Sequence, residues 1–422
     1  MSHNAVVIGG NRIPFAKSNG PYSEATNHDM LTAALDGLVA RFGLSGMRMG
    51  EVAAGAVLKH PSDFNLTREA VLSSALSADT PACDLQQACG TGLETTIYIA
   101  NKIALGQIEV GISGGVDSTS DAPITLSDPL RRTLLKASSA RSFPDRVKPF
   151  TKVRPRHLSP KAPSVTEPRT GLSMGEHQAL TTESWGITRE EQDAIAAASH
   201  HKLAQAWESG FFDDLVTPYL GVARDAILRP DTSVEKLAKL KPVFGGPQGT
   251  MTAGNSTALS DGAATVLIAS EEWAAEHRQP VLARIIDAEV AAVDHPGGAD
   301  LLLGPVAATG RMLARQGLSI GDFDLVEIHE AFASTVATTL KAWADEDYCR
   351  GLGLDGAIGT IDPSVLNVTG SSLAAGHPFA ATGARIVPTL AKLLQERGKG
   401  SRGLISMCAA GGQGVVAILE AV

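Results

Sequence analysis

Gln86-Gln87-Ala88-Cys89-Gly90-Thr91-Gly92, running into Leu93, Ile97, Ala100 and Ala104 at helical spacing, is the stretch that decides how this chain is read. Gly106 closes that helix, Ile108, Val110 and Ile112 alternate as a strand, and Gly114-Gly115 follows. The same order returns far downstream. His377 to Gly383 leads into Ile386, Val387, Leu390 and Leu394; Gly398 closes the helix; Leu404 to Met407 reads as a strand; Cys408 and a turn at Gly411-Gly412 follow. A reactive residue, a helix, a glycine, a strand and a glycine pair therefore occur twice. This predicts duplicated α/β halves whose two helix starts meet at a shared centre. Pro388 sits awkwardly in the second helix, since an interior proline kinks or breaks one, and leaves its length open.

The rest of the chain fits α/β layers. Its 422 residues suffice for two or three domains. The net charge of −9 argues against a nucleic-acid binder. Four cysteines, Cys83, Cys89, Cys349 and Cys408, match no zinc spacing and no secreted disulfide framework, so free thiols in a reducing compartment are expected. The opening residues lack a signal peptide's basic region and long apolar core, which points to the cytoplasm. Residues 403–419 are uncharged, but Gly411, Gly412, Gln413 and Gly414 split them, predicting two buried strands rather than a membrane span.

From the start, Ala5 to Ile8 reads as a strand and Gly9-Gly10-Asn11 as a turn. A helix then carries Met30, Leu31, Ala34, Leu35, Leu38, Val39 and Phe42, closed by Gly43. Strands and helices alternate to about residue 120. Residues 121–169 differ: eight prolines, and eleven Lys or Arg against four Asp or Glu, mark a loop-rich, basic insertion. It is either a solvated excursion or a patch for a phosphorylated ligand or an anionic surface.

Several residues carry chemistry. A cysteine attacks as thiolate, and a helix N-terminus is expected to lower the pKa of Cys89, with Gly90 and Gly92 admitting a ligand. A free cysteine is also commonly a small buried hydrophobe. His377, between Gly376 and Pro378, can take a thiol proton and then bond an oxyanion; a lone histidine is as readily structural. Cys408 could act as a base at carbon. Glu327-Ile328-His329-Glu330 places buried polar groups in an apolar run, where they need partners. Gly249 to Thr257 reads as an unstructured small-residue loop able to wrap a cofactor.

In family order, Asn11-Arg12-Ile13-Pro14-Phe15-Ala16-Lys17, Cys89-Gly90-Thr91-Gly92, Gly114-Gly115-Val116-Asp117-Ser118, residues 249–264, His329-Glu330-Ala331-Phe332, Gly376-His377-Pro378 and Cys408-Ala409-Ala410-Gly411-Gly412 resemble the thiolase family over nearly the whole chain. The resemblance implies a five-layer αβαβα fold: an N-terminal half at 1–270 with an insertion at about 121–248, and a C-terminal half at 279–422. It implies acyl-CoA C-acyltransferase activity, the thiolytic cleavage of 3-ketoacyl-CoA or the reverse condensation. Cys89 would carry the acyl group, His377 would activate it, and Cys408 would move the C2 proton. His377 and the backbone N–H groups of Cys89 and Ala410 would form oxyanion sites. Ser256, Thr257, Ala253, Met174 and Phe332 would contact coenzyme A, which is substrate rather than a resident cofactor; no metal is implied.

Two departures stand out. His329 replaces a usual Asn, resembling trifunctional-type β-subunits, and is kept as a catalytic residue; Ala410 replaces a common Gly. Thr257 replaces a CoA-contacting serine, its hydroxyl still expected to donate. The resemblance further implies a homodimer or homotetramer and an optional hydratase/dehydrogenase partner, with membrane contact through 121–169. Two other readings compete. A decarboxylating ketosynthase would use Cys89, His377 and His329 but has no need of Cys408, and a scaffold subunit would need none of them.

Overall fold

Strand pairing in the computed structural model, which describes residues 4–164 and 166–422, repeats itself. The first three residues, part of the leader reading, lie outside the described residues. The N-terminal strands are β1 (Ala5–Arg12), β2 (Ala16–Lys17), β3 (Glu51–Ala54), β4 (Ala82–Asp84) and β5 (Val110–Asp117). A small two-stranded sheet of β6 (Pro242–Phe244) and β7 (Met251–Thr252) precedes β8 (Ser260–Ser270). Then come β9 (Ala283–Ala292), β10 (Leu325–Ile328), β11 (Arg402–Ala409) and β12 (Gln413–Ala421).

The main sheet runs β10-β11-β12-β9-β1-β8-β5-β3-β4. β3 lies parallel to β5, β5 antiparallel to β8, and β8 antiparallel to β1. β10 lies parallel to β11, β11 antiparallel to β12, and β12 antiparallel to β9. The same senses recur in the same chain order, as duplication requires. The halves join where Val6 and Val7 of β1 meet Arg284 and Ala283 of β9.

Side-chain alternation along the strands builds the layers. Leu267 and Ala269 of β8 pack with Met30, Leu35 and Leu38 of the outer helix Asn27–Phe42. That helix starts on a Thr26/Asp29 capping box and ends on left-handed Gly43. Val266 and Ile268 face the other way, into a centre shared with Ile405 and Met407 of β11. Filling that centre are the Cys89 helix (Thr91–Ala104) and the His377 helix (Ala381–Arg397). Beyond the second half, Leu404 and Val416 pack against the outer helices Gly304–Gln316 and Ala333–Ala344. The result is the five-layer αβαβα stack.

The two central helices cross backbone to backbone. A Cβ on Gly92 would lie 2.6 Å from the Ala384 nitrogen, and one on Gly383 would lie 2.2 Å from the Leu93 nitrogen. Only glycine permits that approach. Close packing also corrects three expectations. Gly9-Gly10-Asn11 is no turn: β1 continues to Arg12, with Gly9 pressed on Phe42 and Gly10 on the Pro388 ring. Gly114-Gly115 lies inside β5, where a Cβ on Gly115 would sit 2.0 Å from the Ala380 oxygen. Pro388 does not break its helix, which runs unbroken through it.

The insertion is more helical than expected. It holds the helices Asp128–Ser139 and Phe143–Val147, yet none of the described residues of 121–164 is buried. The helices Met174–Ser184 and Arg189–Glu208 follow, each opened by a capping box. Gly249 to Thr257 is structured too, since it contains β7, and Asn255 anchors it by donating to Asp193 Oδ1 at 2.9 Å. No helix among the described residues is long and apolar enough to cross a membrane.

Candidate active site

Cys89 stands one residue before Gly90, the N-cap of its helix, on a strained turn. Ala88 has φ 46°, a left-handed value rare for a residue with a side chain. Thr91 holds this elbow, its hydroxyl donating to the Ala88 carbonyl at 2.7 Å and accepting the Gln87 N–H at 2.8 Å. The Ala410 N–H hydrogen-bonds the Cys89 thiol. The expected lowering of its pKa by the helix start is not found. Burial dominates, with the Asp117 carboxyl adding to it, and pushes Cys89 up to about 12. The resting residue is a thiol that needs a proton acceptor.

Asp117, at the end of β5, ties the loop after β3 to the turn after His377. Its Oδ1 accepts N–H groups of Val57 and Leu58 at 2.9 and 2.8 Å, and its Oδ2 accepts the Ala380 N–H at 2.8 Å. Burial raises its pKa to about 7.

His377 lies in the turn between the short helix Ser372–Ala375 and its long helix, after Gly376 at φ 101°. Its backbone N–H donates to Ser260 Oγ at 3.1 Å, and its Nδ1 pairs with Thr382 Oγ1 at 2.6 Å. Burial, assisted by the charge of Arg385, lowers its pKa to about 3, so the ring is neutral. His329, just beyond β10, is fully buried, with Nδ1 2.9 Å from Ser372 Oγ. Arg385 donates to that same Ser372 oxygen at 3.2 Å. Ser372 can therefore donate its own hydrogen to His329 Nδ1, an arrangement that leaves the His329 proton on Nε2. The Nε2 atoms of both histidines are buried without a hydrogen-bond partner among the described residues. Two neutral imidazoles offering unpaired nitrogens can receive a proton or stabilise an oxyanion.

Cys408 is not in the glycine turn but within β11, opposite Gly414 of β12. Burial raises its pKa well above the ordinary thiol range, and neighbouring Cys89 adds to the shift. It belongs to an apolar cluster with Met251, Leu301, Ala331 and Phe332, against which Met174 and Phe244 pack. Of the residues expected to contact coenzyme A, Phe332 belongs to the same apolar cluster as Cys408 and Met174 packs against it. Ser256 Oγ is buried without a hydrogen-bond partner among the described residues, while Ala253 is exposed. Thr257 departs from expectation: its hydroxyl donates to the Ala331 carbonyl at 3.0 Å, leaving only lone pairs for a ligand.

Residues 5–272 match the thiolase N-terminal domain, and residues 279–421 match the thiolase C-terminal domain. This chain belongs to the thiolase family. It is 40% identical to a 3-ketoacyl-CoA thiolase of Yersinia pestis (strain Pestoides F), covering 98% of this chain and 96% of the relative. The fold is similar to Bacillus anthracis acetyl-CoA acetyltransferase, with a TM-score of 0.83 and 30% identity over 100% of this chain and 99% of that one. It is also similar to human mitochondrial 3-ketoacyl-CoA thiolase in complex with CoA, with a TM-score of 0.82 and 29% identity over 100% of this chain and 98% of that one.

Sequence reasoning gave no role to several residues that anchor this thiolase's site. Asp117 was quoted within a family motif but given no role, and Thr382, Ser372 and Arg385 read as ordinary residues around His377. Glu330, beside His329, is internal support: it accepts from Ser199 Oγ, Asn367 Nδ2 and the Leu373 N–H at 2.7, 2.8 and 3.1 Å.

Proposed function

We propose that this thiolase works by a ping-pong exchange through a Cys89 acyl-enzyme, with Cys408 as the second thiol. What supports this reading is the pairing of Cys408 with Cys89 and of His329 with His377, whose Nε2 atoms are buried without a partner among the described residues. In cleavage of a 3-ketoacyl-CoA, the Cys89 sulfur attacks C3 while His377 takes its proton. The C2–C3 bond breaks, and the C2 carbanion of the departing acetyl-CoA takes a proton from Cys408. Coenzyme A then gives its thiol proton to the Cys408 thiolate and attacks the Cys89 thioester. The released Cys89 thiolate recovers its proton from His377. Condensation is the reverse. Splitting one hard step into two is what covalent catalysis provides.

His329 and His377 would donate to the C3 oxyanion. The N–H groups of Cys89 and Ala410 would hold the other. Coenzyme A, bound in the human relative, would lie over Ser256, Thr257, Ala253, Met174 and Phe332. His329-Glu330-Ala331-Phe332 favours the trifunctional-type branch and its long acyl chains. We place the domain division at 1–270 and 279–422 with the insertion at about 121–248, the assembly as a homodimer or homotetramer, and the chain in the cytoplasm. Membrane or hydratase/dehydrogenase contact is assigned to the basic segment 121–169.

The test is thiolysis of acetoacetyl-CoA and 3-ketohexadecanoyl-CoA. Wild type should cleave both, favouring the longer, and Cys89→Ala neither. Cys408→Ala should still take radioactive acetyl from acetyl-CoA onto Cys89 but lose thiolysis by at least about a hundredfold. An inactive wild type would sink the reading, and a strict short-chain preference would remove the long-chain assignment.

A further inference from the structure

At the foot of the insertion lies a buried carboxylate that the mechanism above does not use. Glu167 begins a tight hairpin: its N–H donates to the Leu172 carbonyl and its carbonyl accepts the Gly171 N–H, both at 2.8 Å. Its side chain leaves the hairpin and reaches the second half of the fold, where Oε1 accepts the Gly411 N–H at 2.7 Å. The residue is only 7% exposed. Its other oxygen faces His295 Nε2 at 3.8 Å, and neither ring nitrogen of His295 has a hydrogen-bond partner among the described residues. His177 meets the His295 ring edge-on at 5.9 Å and is tied to Thr170, in the same hairpin, at 2.7 Å.

Gly411 is not an arbitrary contact. It follows Ala410, whose N–H bonds the Cys89 thiol. Gly411 and Gly412 both have left-handed φ, 79° and 72°, a conformation glycine adopts freely and therefore leaves easily. The far side of the turn is held by the Val293 N–H, which donates to Gly412 O at 2.8 Å. The near side is held by Glu167. The Gly411 N–H belongs to the peptide plane that Ala410 carries, so fixing it restricts rotation at Ala410.

We propose that Glu167 is a positioning residue for the thiolase reaction. It holds the 410–412 turn so that the Ala410 N–H stays aimed at the reacting atoms, and it ties the foot of the insertion to the oxyanion site. This rests on the oxyanion role given to Ala410 above. An oxyanion donor is effective only when preorganised, and a displacement of about 1 Å costs on the order of a hundredfold in rate.

Glu167→Ala removes the acceptor; Glu167→Gln retains an amide oxygen at the same place. In acetoacetyl-CoA thiolysis, Glu167→Ala should lose about 10- to 100-fold in kcat with KM for both substrates within about threefold. Glu167→Gln should stay within about threefold of wild-type kcat. Alkylation of Cys89 by iodoacetamide should reach completion in both and be slower in Glu167→Ala alone, because the Ala410 N–H that favours the Cys89 thiolate is no longer held. If Glu167→Ala does not fold, Glu167→Asp carries the same kcat expectation, since its shorter arm falls short of Gly411. Wild-type kcat in the variant that folds overturns the proposal, as does a kcat loss matched by a fall in Tm and a rise in KM. An inactive wild type would instead refute the thiolase mechanism, so the two failures are distinct.

Discussion

The imidazole rings of His329 and His377, 48 positions apart in the sequence, lie with centroids 4.2 Å apart and planes inclined at 49°. Each is anchored through Nδ1 to a hydroxyl, Ser372 for His329 and Thr382 for His377, and each leaves Nε2 unpaired. Both donors would then point at one oxyanion. His329→Ala should lower kcat for acetoacetyl-CoA thiolysis by about 10²- to 10³-fold, the usual effect of deleting one such donor. His329→Asn, which supplies a shorter amide donor, should recover part of that loss. Equal activity in His329→Ala and wild type would remove His329 from the site.

Cys89 offers a pH test. Burial pushes its thiol up to about 12, so the thiolate is a small fraction at neutral pH and grows as pH rises. Alkylation of the unliganded protein by iodoacetamide should therefore accelerate by about tenfold per pH unit from about pH 7 to 9, without levelling off. His377, held down to about 3, stays neutral throughout this range and contributes no inflection. A plateau below pH 8 would show that the resting Cys89 is already a thiolate.

Asp117→Asn is a nearly isosteric change with a definite consequence. All three hydrogen bonds of the carboxyl are accepted from backbone N–H groups, on both oxygens. An amide nitrogen at either position would face a donor, and a buried unpaired donor costs about 1–3 kcal/mol. The substitution should lower Tm by several degrees and reduce kcat, because the Ala380 N–H closes the turn that carries His377. An unaltered Tm and kcat would show that the turn stands without this link.

Much of this was legible before any coordinates. The repeat of reactive residue, helix, glycine and strand follows from periodicity, and the pairing of β3, β5, β8 and β1 against β10, β11, β12 and β9 bears it out. What failed was local and had one cause. Gly9 and Gly10 looked like a turn, because glycine permits turns, but here they make room for Phe42 and the Pro388 ring, as Gly115 does for the Ala380 backbone. The Pro388 and Ala380 partners lie more than two hundred residues away, which no local pattern reports. The thiol pKa failed for a similar reason: a helix start is visible in sequence, whereas the burial that outweighs it belongs to the whole stack. His329 was noticed as a polar residue in an apolar run and as a departure from a family pattern, but its anchor, Ser372, could not be paired with it from spacing.

The basic segment yields the last prediction. Leu135, Phe143 and Leu158 are 57%, 79% and 62% exposed, among eleven Lys or Arg between residues 121 and 169. Apolar side chains interleaved with cations suit an anionic lipid surface, where each cation contributes about 1 kcal/mol within a Debye length. Vesicles containing phosphatidylserine should therefore co-sediment the protein at low salt, and raising the salt should release it. Neutral phosphatidylcholine vesicles should not bind. Replacing Arg131, Arg132 and Lys136 with Gln should weaken binding by about 3 kcal/mol, roughly a hundredfold, while leaving acetoacetyl-CoA thiolysis unchanged. Equal sedimentation with neutral and anionic vesicles, or none with either, would rule out the membrane assignment and leave this face to a protein partner.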